Sequence, residues 1–109
     1  MTDLSLKDRV AVVTGGSRGI GRAIALEFAA QGAAVAVNYN KSPEAASEVV
    51  KQIVDAGGKA AAFQADVSNF RQAEDLIKFA IDTFGDLHIL VNNAGITRDT
   101  LIMMMSEAD

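Results

Sequence analysis

The chain has 109 residues, of which half are hydrophobic and 22% are charged, with a formal net charge of −4 at pH 7. This composition predicts one globular domain and excludes an intrinsically disordered chain. The negative charge argues against nucleic acid as a partner, because a protein that follows a phosphate backbone needs a basic surface. The absence of cysteine excludes disulfides, thiol nucleophiles and zinc–thiolate sites, and we predict no metal site.

The chain contains no uninterrupted apolar run of the length that crosses a bilayer, so we expect no membrane partner. Residues 1–9 are polar and carry charges of both signs, which is unlike a signal peptide. We therefore expect a cytoplasmic location.

Short β-branched apolar runs alternate along the chain with longer segments of helical periodicity. Strands are predicted at residues 9–14, 33–38, 59–65 and 87–91, and helices at 19–31, from 43 to the glycines at 57 and 58, and at 68–84. Ile20 is predicted on the buried face of the first helix. Pro43 suits the first turn of the second helix, and Ser68 is predicted to cap the third.

This β-α-β-α-β-α-β order with short loops is typical of a parallel sheet with helices on both faces. We predict an α/β, Rossmann-like doubly wound fold with three layers and strand order 3-2-1-4, truncated after the fourth strand. Residues 1–109 are predicted to form a single domain. In such a sheet the ligand lies beyond the carboxyl ends of the strands, where the strand order reverses. The loops after strands 1 and 4 are therefore predicted to meet in one crevice.

The loop after the first strand, residues 14–21, reads Thr-Gly-Gly-Ser-Arg-Gly-Ile-Gly. A pyrophosphate must approach backbone N–H groups closely, and glycines remove the Cβ atoms that would block it. The loop lies between a predicted strand and a predicted helix, which is the context that a dinucleotide site requires. No Gly-Lys-Ser or Gly-Lys-Thr follows, so the loop is not a P-loop. The alternative is a tight strand–helix turn without a ligand.

A second turn, Asn92-Asn93-Ala94-Gly95, follows the fourth predicted strand. Together with the glycine loop it resembles the short-chain dehydrogenase/reductase family, and the resemblance covers essentially the whole chain. Residues 90–99 are most similar to the 3-oxoacyl-[acyl-carrier-protein] reductases of that family. The resemblance implies an NADPH-dependent reduction of a 3-oxoacyl thioester to the 3-hydroxyacyl product, in fatty acid synthesis. The alternative within the family is a carbonyl or sugar dehydrogenase.

The resemblance also implies which residues would contact the cofactor. The phosphates would lie against the glycine loop, at Gly15, Ser17, Arg18, Gly19, Ile20 and Gly21. Asp66 and Val67 match the pair that contacts adenine, although Asp66 could instead be only a turn residue. The adenosine ribose would be flanked by Asn93, Ala94 and Gly95, or else these residues form a purely structural turn.

The loop after the second strand predicts which nicotinamide cofactor is used. An NAD enzyme places a carboxylate there for the ribose 2′-hydroxyl, but no acidic residue stands between this strand and Glu44. Arg18 could bind a 2′-phosphate together with residues of this loop, namely Asn38, Tyr39, Asn40, Lys41 and Ser42. We therefore predict NADP(H), with the alternative that Lys41 is only a solvated surface charge.

The resemblance implies a tyrosine as proton donor, with a lysine four residues later and an assisting serine and asparagine. The one tyrosine of this chain, Tyr39, is followed at that spacing by Pro43, so no catalytic residue is assigned. We expect the catalytic half to be absent and the isolated chain to be inactive. Residues 96–109 resemble the start of the family's substrate-side helical region. His88 is expected to be an ordinary surface or edge residue without a base or metal partner.

Without a fifth strand, the outer edge of strand 4 would be open and would invite pairing with another chain. The predicted partners are therefore the small-molecule cofactor and either a complementary second half or a second copy associated through that edge. The competing hypothesis is a truncated or engineered half-fold that serves as a non-catalytic folding or self-association module.

Overall fold

The computed structural model describes residues 5–93 and 101–104. All the predicted strands and helices are present, with small shifts at their ends, and one further strand follows. The strands are β1 (Val10–Val13), β2 (Ala34–Tyr39), β3 (Lys59–Gln64), β4 (Ile89–Asn92) and β5 (Leu101–Met104). The helices are α1 (Gly19–Ala30), α2 (Pro43–Asp55) and α3 (Phe70–Phe84).

The sheet has the order β3-β2-β1-β4-β5, and its first four strands are parallel. β1 lies at the centre, with Val12 aligned to Ala36 of β2 on one side and to Leu90 of β4 on the other. The predicted order 3-2-1-4 is therefore confirmed. The order reverses at β1, so the loops after β1 and β4 leave the same edge of the sheet side by side.

β5 is an addition to the predicted fold. It runs antiparallel to β4, with Asn92 opposite Leu101 and Ile89 opposite Met104. The prediction that the outer edge of strand 4 is open is therefore wrong. β5 pairs with the outer edge of β4, whose N–H and C=O groups would otherwise be open to a strand of another chain. In the described part of the sheet, the outer strands are β3 and β5.

Successive residues of each central strand face opposite sides of the sheet, and both sides are buried. One face packs against α1 and α2 in a cluster that includes Val13, Val35, Val37, Ala25 and Val49. The other face packs against α3 in a cluster that includes Val12, Ala36, Leu76 and Ala80. Each fully buried valine or leucine contributes about 1.5–3 kcal/mol. The predicted three-layer arrangement is confirmed.

The start of α3 differs from the prediction. The capping residue is Asn69, whose Oδ1 accepts a hydrogen bond from the Gln72 backbone N–H at 3.1 Å. The predicted cap at Ser68 is wrong, because the Ser68 hydroxyl donates instead to Asp66 Oδ1 at 2.6 Å. Asn69 therefore caps the helix, while Ser68 stabilises the turn that precedes it.

No helix in the described part of the chain is long and apolar enough to span a membrane. Among the same residues, no group of three histidine or carboxylate side chains is arranged to hold a metal ion.

Candidate functional site

Two depressions lie at opposite ends of the parallel strands. The larger, about 980 Å³, is lined in part by Val10, Ala34 and Lys59, the first residues of β1, β2 and β3. The smaller, about 370 Å³, lies at the carboxyl ends and is lined by Gly15, Ser17, Arg18 and residues 39–42. Since ligands of such sheets bind beyond the carboxyl ends of the strands, the smaller cleft is the candidate site. It brings together seven of the predicted cofactor residues.

The glycine loop leaves the amino end of α1 open toward an anion. Arg18 occupies the N-cap position of α1, but its side chain forms no capping hydrogen bond with the helix. The first N–H groups of a helix have no partner within it, and they carry the positive end of the helix dipole. Gly19 has φ +58°, and a Cβ built there would meet no atom within 4 Å. The loop therefore offers backbone donors beside open space, which is the chemistry that a phosphate requires.

The closed side of the loop packs against the turn after β4. A Cβ on the buried Gly21 would overlap the carbonyl oxygen of Gly15 and would lie 2.8 Å from Asn93 Nδ2. The neighbouring Ile20 is 67% exposed, so its predicted place on the buried face is wrong. The buried residues of α1 are Gly21 and Ala25. The absence of a side chain at Gly21 is what lets α1 begin so close to this turn.

Hydrogen bonds join the two loops that were predicted to meet. The Asn93 backbone N–H donates to Thr14 Oγ1 at 2.7 Å, and Asn93 Nδ2 donates to the Gly15 carbonyl at 3.4 Å. Thr14 is buried, and its backbone N–H donates to the Val91 carbonyl at 3.0 Å. The predicted convergence is therefore confirmed. Ala94 and Gly95, the other predicted residues of this turn, lie outside the described residues.

Thr14 is a site residue that the predictions omitted. It is the first residue of the glycine motif, and its hydroxyl links the glycine loop to the turn after β4. The signal in the sequence was a hydroxyl residue at the end of a buried strand, where a polar group needs a partner. The sequence could not name that partner, because Asn93 lies 79 positions further along the chain.

Asp66 lies just after β3 and is not among the residues that line the smaller cleft. Its Oδ1 accepts from the Ser68 hydroxyl at 2.6 Å and from the Ser68 backbone N–H at 3.0 Å. These two bonds lower the pKa of Asp66 below its usual value, the nearby Lys41 cation lowers it further, and partial burial opposes them. Asp66 is therefore a carboxylate at neutral pH, and its Oδ2 has no hydrogen-bond partner among residues 5–93. Val67 follows it and is half-buried.

Residues 38–42, at the end of β2 and in the loop that follows it, divide into a buried and an accessible group. Asn38 is only 1% exposed, and its amide is bonded within the protein. Tyr39 and Ser42 are partly exposed, while Asn40 and Lys41 are exposed. Residues 39–42 are therefore accessible to a ligand, whereas the Asn38 amide is enclosed by the protein.

His88 has a partner that its sequence context did not indicate. Its Nδ1 accepts from the Val10 backbone N–H at 2.9 Å, and its own backbone N–H donates to the Val10 carbonyl at 2.9 Å. Its Nε2 lies 3.4 Å from Asp86 Oδ2, and the side chain is 13% exposed. The expectation of an ordinary surface or edge position did not include these contacts. His88 joins β4 to the amino end of β1, away from the candidate site.

The sequence model of the family described as short chain dehydrogenase matches residues 9–109. The chain belongs to this family. A 3-oxoacyl-[acyl-carrier-protein] reductase from Synechocystis sp. is 51% identical over 105 residues, covering 96% of this chain and 42% of that protein. The short-chain dehydrogenase/reductase homolog YusS from Bacillus subtilis is 48% identical over 95 residues, covering 87% of this chain and 87% of that protein.

Two solved structures of the family show the same fold. A dehydrogenase/reductase from Sinorhizobium meliloti superposes with a TM-score of 0.83 at 48% identity, covering 87% of this chain and 38% of that one. A short chain dehydrogenase from Burkholderia cenocepacia in complex with NADP gives 0.81 at 49% identity, covering 85% of this chain and 38% of that one. The present short-chain dehydrogenase chain spans about two fifths of the length of the Synechocystis reductase and of these two proteins.

Proposed function

We propose that residues 1–109 form a single NADP(H)-binding half-domain of a short-chain oxidoreductase. The observation that carries this proposal is the cleft in which the glycine loop meets the loop after β2. Two of its lining residues, Arg18 and Lys41, are cations, and none is a carboxylate. A 2′-phosphate would accept charge-assisted hydrogen bonds from these two cations. A 2′-hydroxyl is uncharged and would not gain the ionic part of that attraction. The NADP bound to the Burkholderia cenocepacia relative supports the same cofactor.

We assign the residues of this chain to the parts of the cofactor as follows, with Ala94 and Gly95 carried over from the family resemblance. The backbone of Ser17, Gly19, Ile20 and Gly21 would hold the pyrophosphate at the start of α1. The 2′-phosphate would be bound by Arg18, Tyr39, Asn40, Lys41 and Ser42. Asp66 and Val67 would contact adenine, and Asn93, with Ala94 and Gly95, would support the ribose. When bound, NADPH supplies the hydride for carbonyl reduction, and the part of this chain is to bind and orient it.

The similarity to 3-oxoacyl-[acyl-carrier-protein] reductases favours a 3-oxoacyl thioester as the substrate of the whole enzyme. No residue of this chain is assigned to proton transfer, so we expect cofactor binding without turnover by the chain alone. A complementary catalytic half would restore turnover. The test is NADPH oxidation with a 3-oxoacyl thioester, measured with and without the remaining part of the Synechocystis reductase supplied as a second chain. We place this activity in the cytoplasm.

Calorimetric titration with NADPH and with NADH tests the cofactor assignment. We expect tighter binding of NADPH, and Arg18→Ala and Lys41→Ala should each weaken it by about tenfold, the size of one charge-assisted hydrogen bond. NADH binding should change little in both variants. Lys78→Ala is the matched control, because it removes the same charge from an exposed position on α3. Equal affinities of the unmodified chain for the two cofactors, or no binding of either, would refute the assignment.

A second candidate function rests on the similarity to YusS, a family member of nearly the same extent as this chain. That relative favours a short chain that works by itself as a binding or self-association module. Sedimentation at several concentrations distinguishes the two candidates. A stable oligomer that binds no cofactor supports the module, whereas a monomer that binds NADPH supports the nucleotide-binding half-domain.

A further inference from the structure

Asn38 is the least exposed polar side chain among the described residues, at 1%. It lies near the end of β2 and receives two successive N–H groups of the glycine loop. Its Oδ1 accepts from Gly15 N at 3.0 Å, and its backbone carbonyl accepts from Gly16 N at 2.9 Å. One residue thus sets the path of the loop where it leaves β1.

The other end of the same amide holds β3. Asn38 Nδ2 donates to the Ala65 carbonyl at 3.1 Å and to the Phe63 carbonyl at 3.3 Å, with a further contact to its neighbour, the Tyr39 carbonyl, at 3.3 Å. Ala65 immediately precedes Asp66. Because a carboxamide both accepts and donates, it can bridge an N–H group and carbonyl groups at once. A carboxylate could accept from Gly15 but could not donate to the two β3 carbonyls.

These contacts decide which donors of the loop remain for a phosphate. The N–H groups of Gly15 and Gly16 are occupied by Asn38, so the donors that face the cleft come from the residues that follow them. The same amide sets the position of the Asp66 turn relative to the glycine loop. This buried side chain therefore bridges the glycine loop and the segment that leads into the Asp66 turn.

We propose that Asn38 is a positioning residue for the dinucleotide: without contacting it, Asn38 holds the glycine loop and the Asp66 turn at one fixed separation. This inference rests on the proposed NADP(H) function. It implies that loss of the Asn38 amide weakens the binding of a ligand that contacts both the glycine loop and the Asp66 turn. The binding of a ligand that contacts only one of them should be weakened less. Preorganised spacing benefits the spanning ligand because less ordering is required on binding.

Binding of NADPH and of adenosine to the unmodified chain and to Asn38→Ala tests this. NADPH should bind roughly tenfold more weakly to the variant, because one buried hydrogen-bonded network is lost. Adenosine carries no phosphate for the glycine loop and contacts only the adenine side, so its affinity should change by less than about twofold. The matched control is His88→Ala, which removes the acceptor of the buried Val10 N–H at the other end of β1, away from the glycine loop and the Asp66 turn. Its affinities for both ligands should stay those of the unmodified chain.

Amide hydrogen exchange provides a readout that does not depend on the variant's affinity. In Asn38→Ala the Gly15 N–H should lose protection, while the Gly16 N–H, which bonds to a backbone carbonyl, should keep it. In the unmodified chain Gly15 should be protected before NADPH is added, and N–H groups of residues 17–21 should gain protection afterwards. The exchange measurement on the unmodified chain tests the proposal even if the variant does not fold.

The outcomes separate the two proposals. An unmodified chain that binds no nicotinamide cofactor overturns the proposed function and, with it, the part assigned to Asn38. If the unmodified chain binds NADPH and the Asn38→Ala variant binds both ligands as tightly as the unmodified chain does, that result overturns only the positioning role. An unprotected Gly15 N–H in the unmodified chain does the same. Parallel losses of affinity for both ligands in Asn38→Ala and His88→Ala would reduce the effect to general destabilisation and would also refute the positioning role.

Discussion

The hydrogen bond from Val10 to His88 can be tested by replacing the imidazole. Val10 is 5% exposed, and its N–H donates to His88 Nδ1 at 2.9 Å. In His88→Ala this N–H is left unpaired in the interior, which costs about 1–3 kcal/mol. Truncation of a largely buried ring removes about 1 kcal/mol of packing as well. We therefore expect the free energy of unfolding to fall by about 2–4 kcal/mol in a urea titration.

Two further variants separate the acceptor from the ring. His88→Asn keeps an acceptor the same number of bonds from the backbone as Nδ1, so we expect a loss of about 1 kcal/mol or less. His88→Phe keeps a ring but offers no acceptor, so it should lose about 1–3 kcal/mol. If His88→Asn were as unstable as His88→Ala while His88→Phe matched the unmodified chain, ring packing would be the cause and the hydrogen-bond argument would be refuted.

Three other predictions concern the loops of the site. Gly21→Ala should lower stability by about 1–3 kcal/mol and abolish NADPH binding, because the added methyl group overlaps the backbone of the glycine loop; thermal unfolding with and without NADPH measures both. Asn69→Ala should cost about 1 kcal/mol through loss of the bond from the Gln72 N–H, seen as a lower urea midpoint with an unchanged slope. Ser68→Ala should raise the pKa of Asp66 toward 3.8, followed by NMR titration of the carboxyl carbon. Because the pKa of Asp66 is lowered by folding, its contribution to stability is present above 3.8 and is lost as the pH falls through the folded-state value; an unchanged titration in Ser68→Ala would contradict this account.

The sequence was sufficient for the order of the sheet and for the place of the site. Buried strands such as Val10–Val13 are continuous apolar runs, while the helices between them are amphipathic, and this alternation leaves few topologies open. Glycines are needed where the backbone must approach another group closely or adopt a positive φ, so their clustering after β1 indicated where the candidate cleft lies along the chain. These features depend on local chemistry and on periodicity, which are written directly in the residues.

The rest depended on partners distant in the chain. Whether Asn38 contacts a ligand or the protein was decided by the Gly15 N–H and the β3 carbonyls, 23 to 27 positions away. The edge of β4 was closed by a segment whose apolar residues gave no sign of an antiparallel return. His88 could be assigned only once β1 and β4 lay side by side. The sequence by itself determined which backbone elements form and where they converge, because those are properties of short segments. Only the tertiary structure decided which polar groups form hydrogen bonds with each other, because a hydrogen bond depends on distances that the fold alone sets.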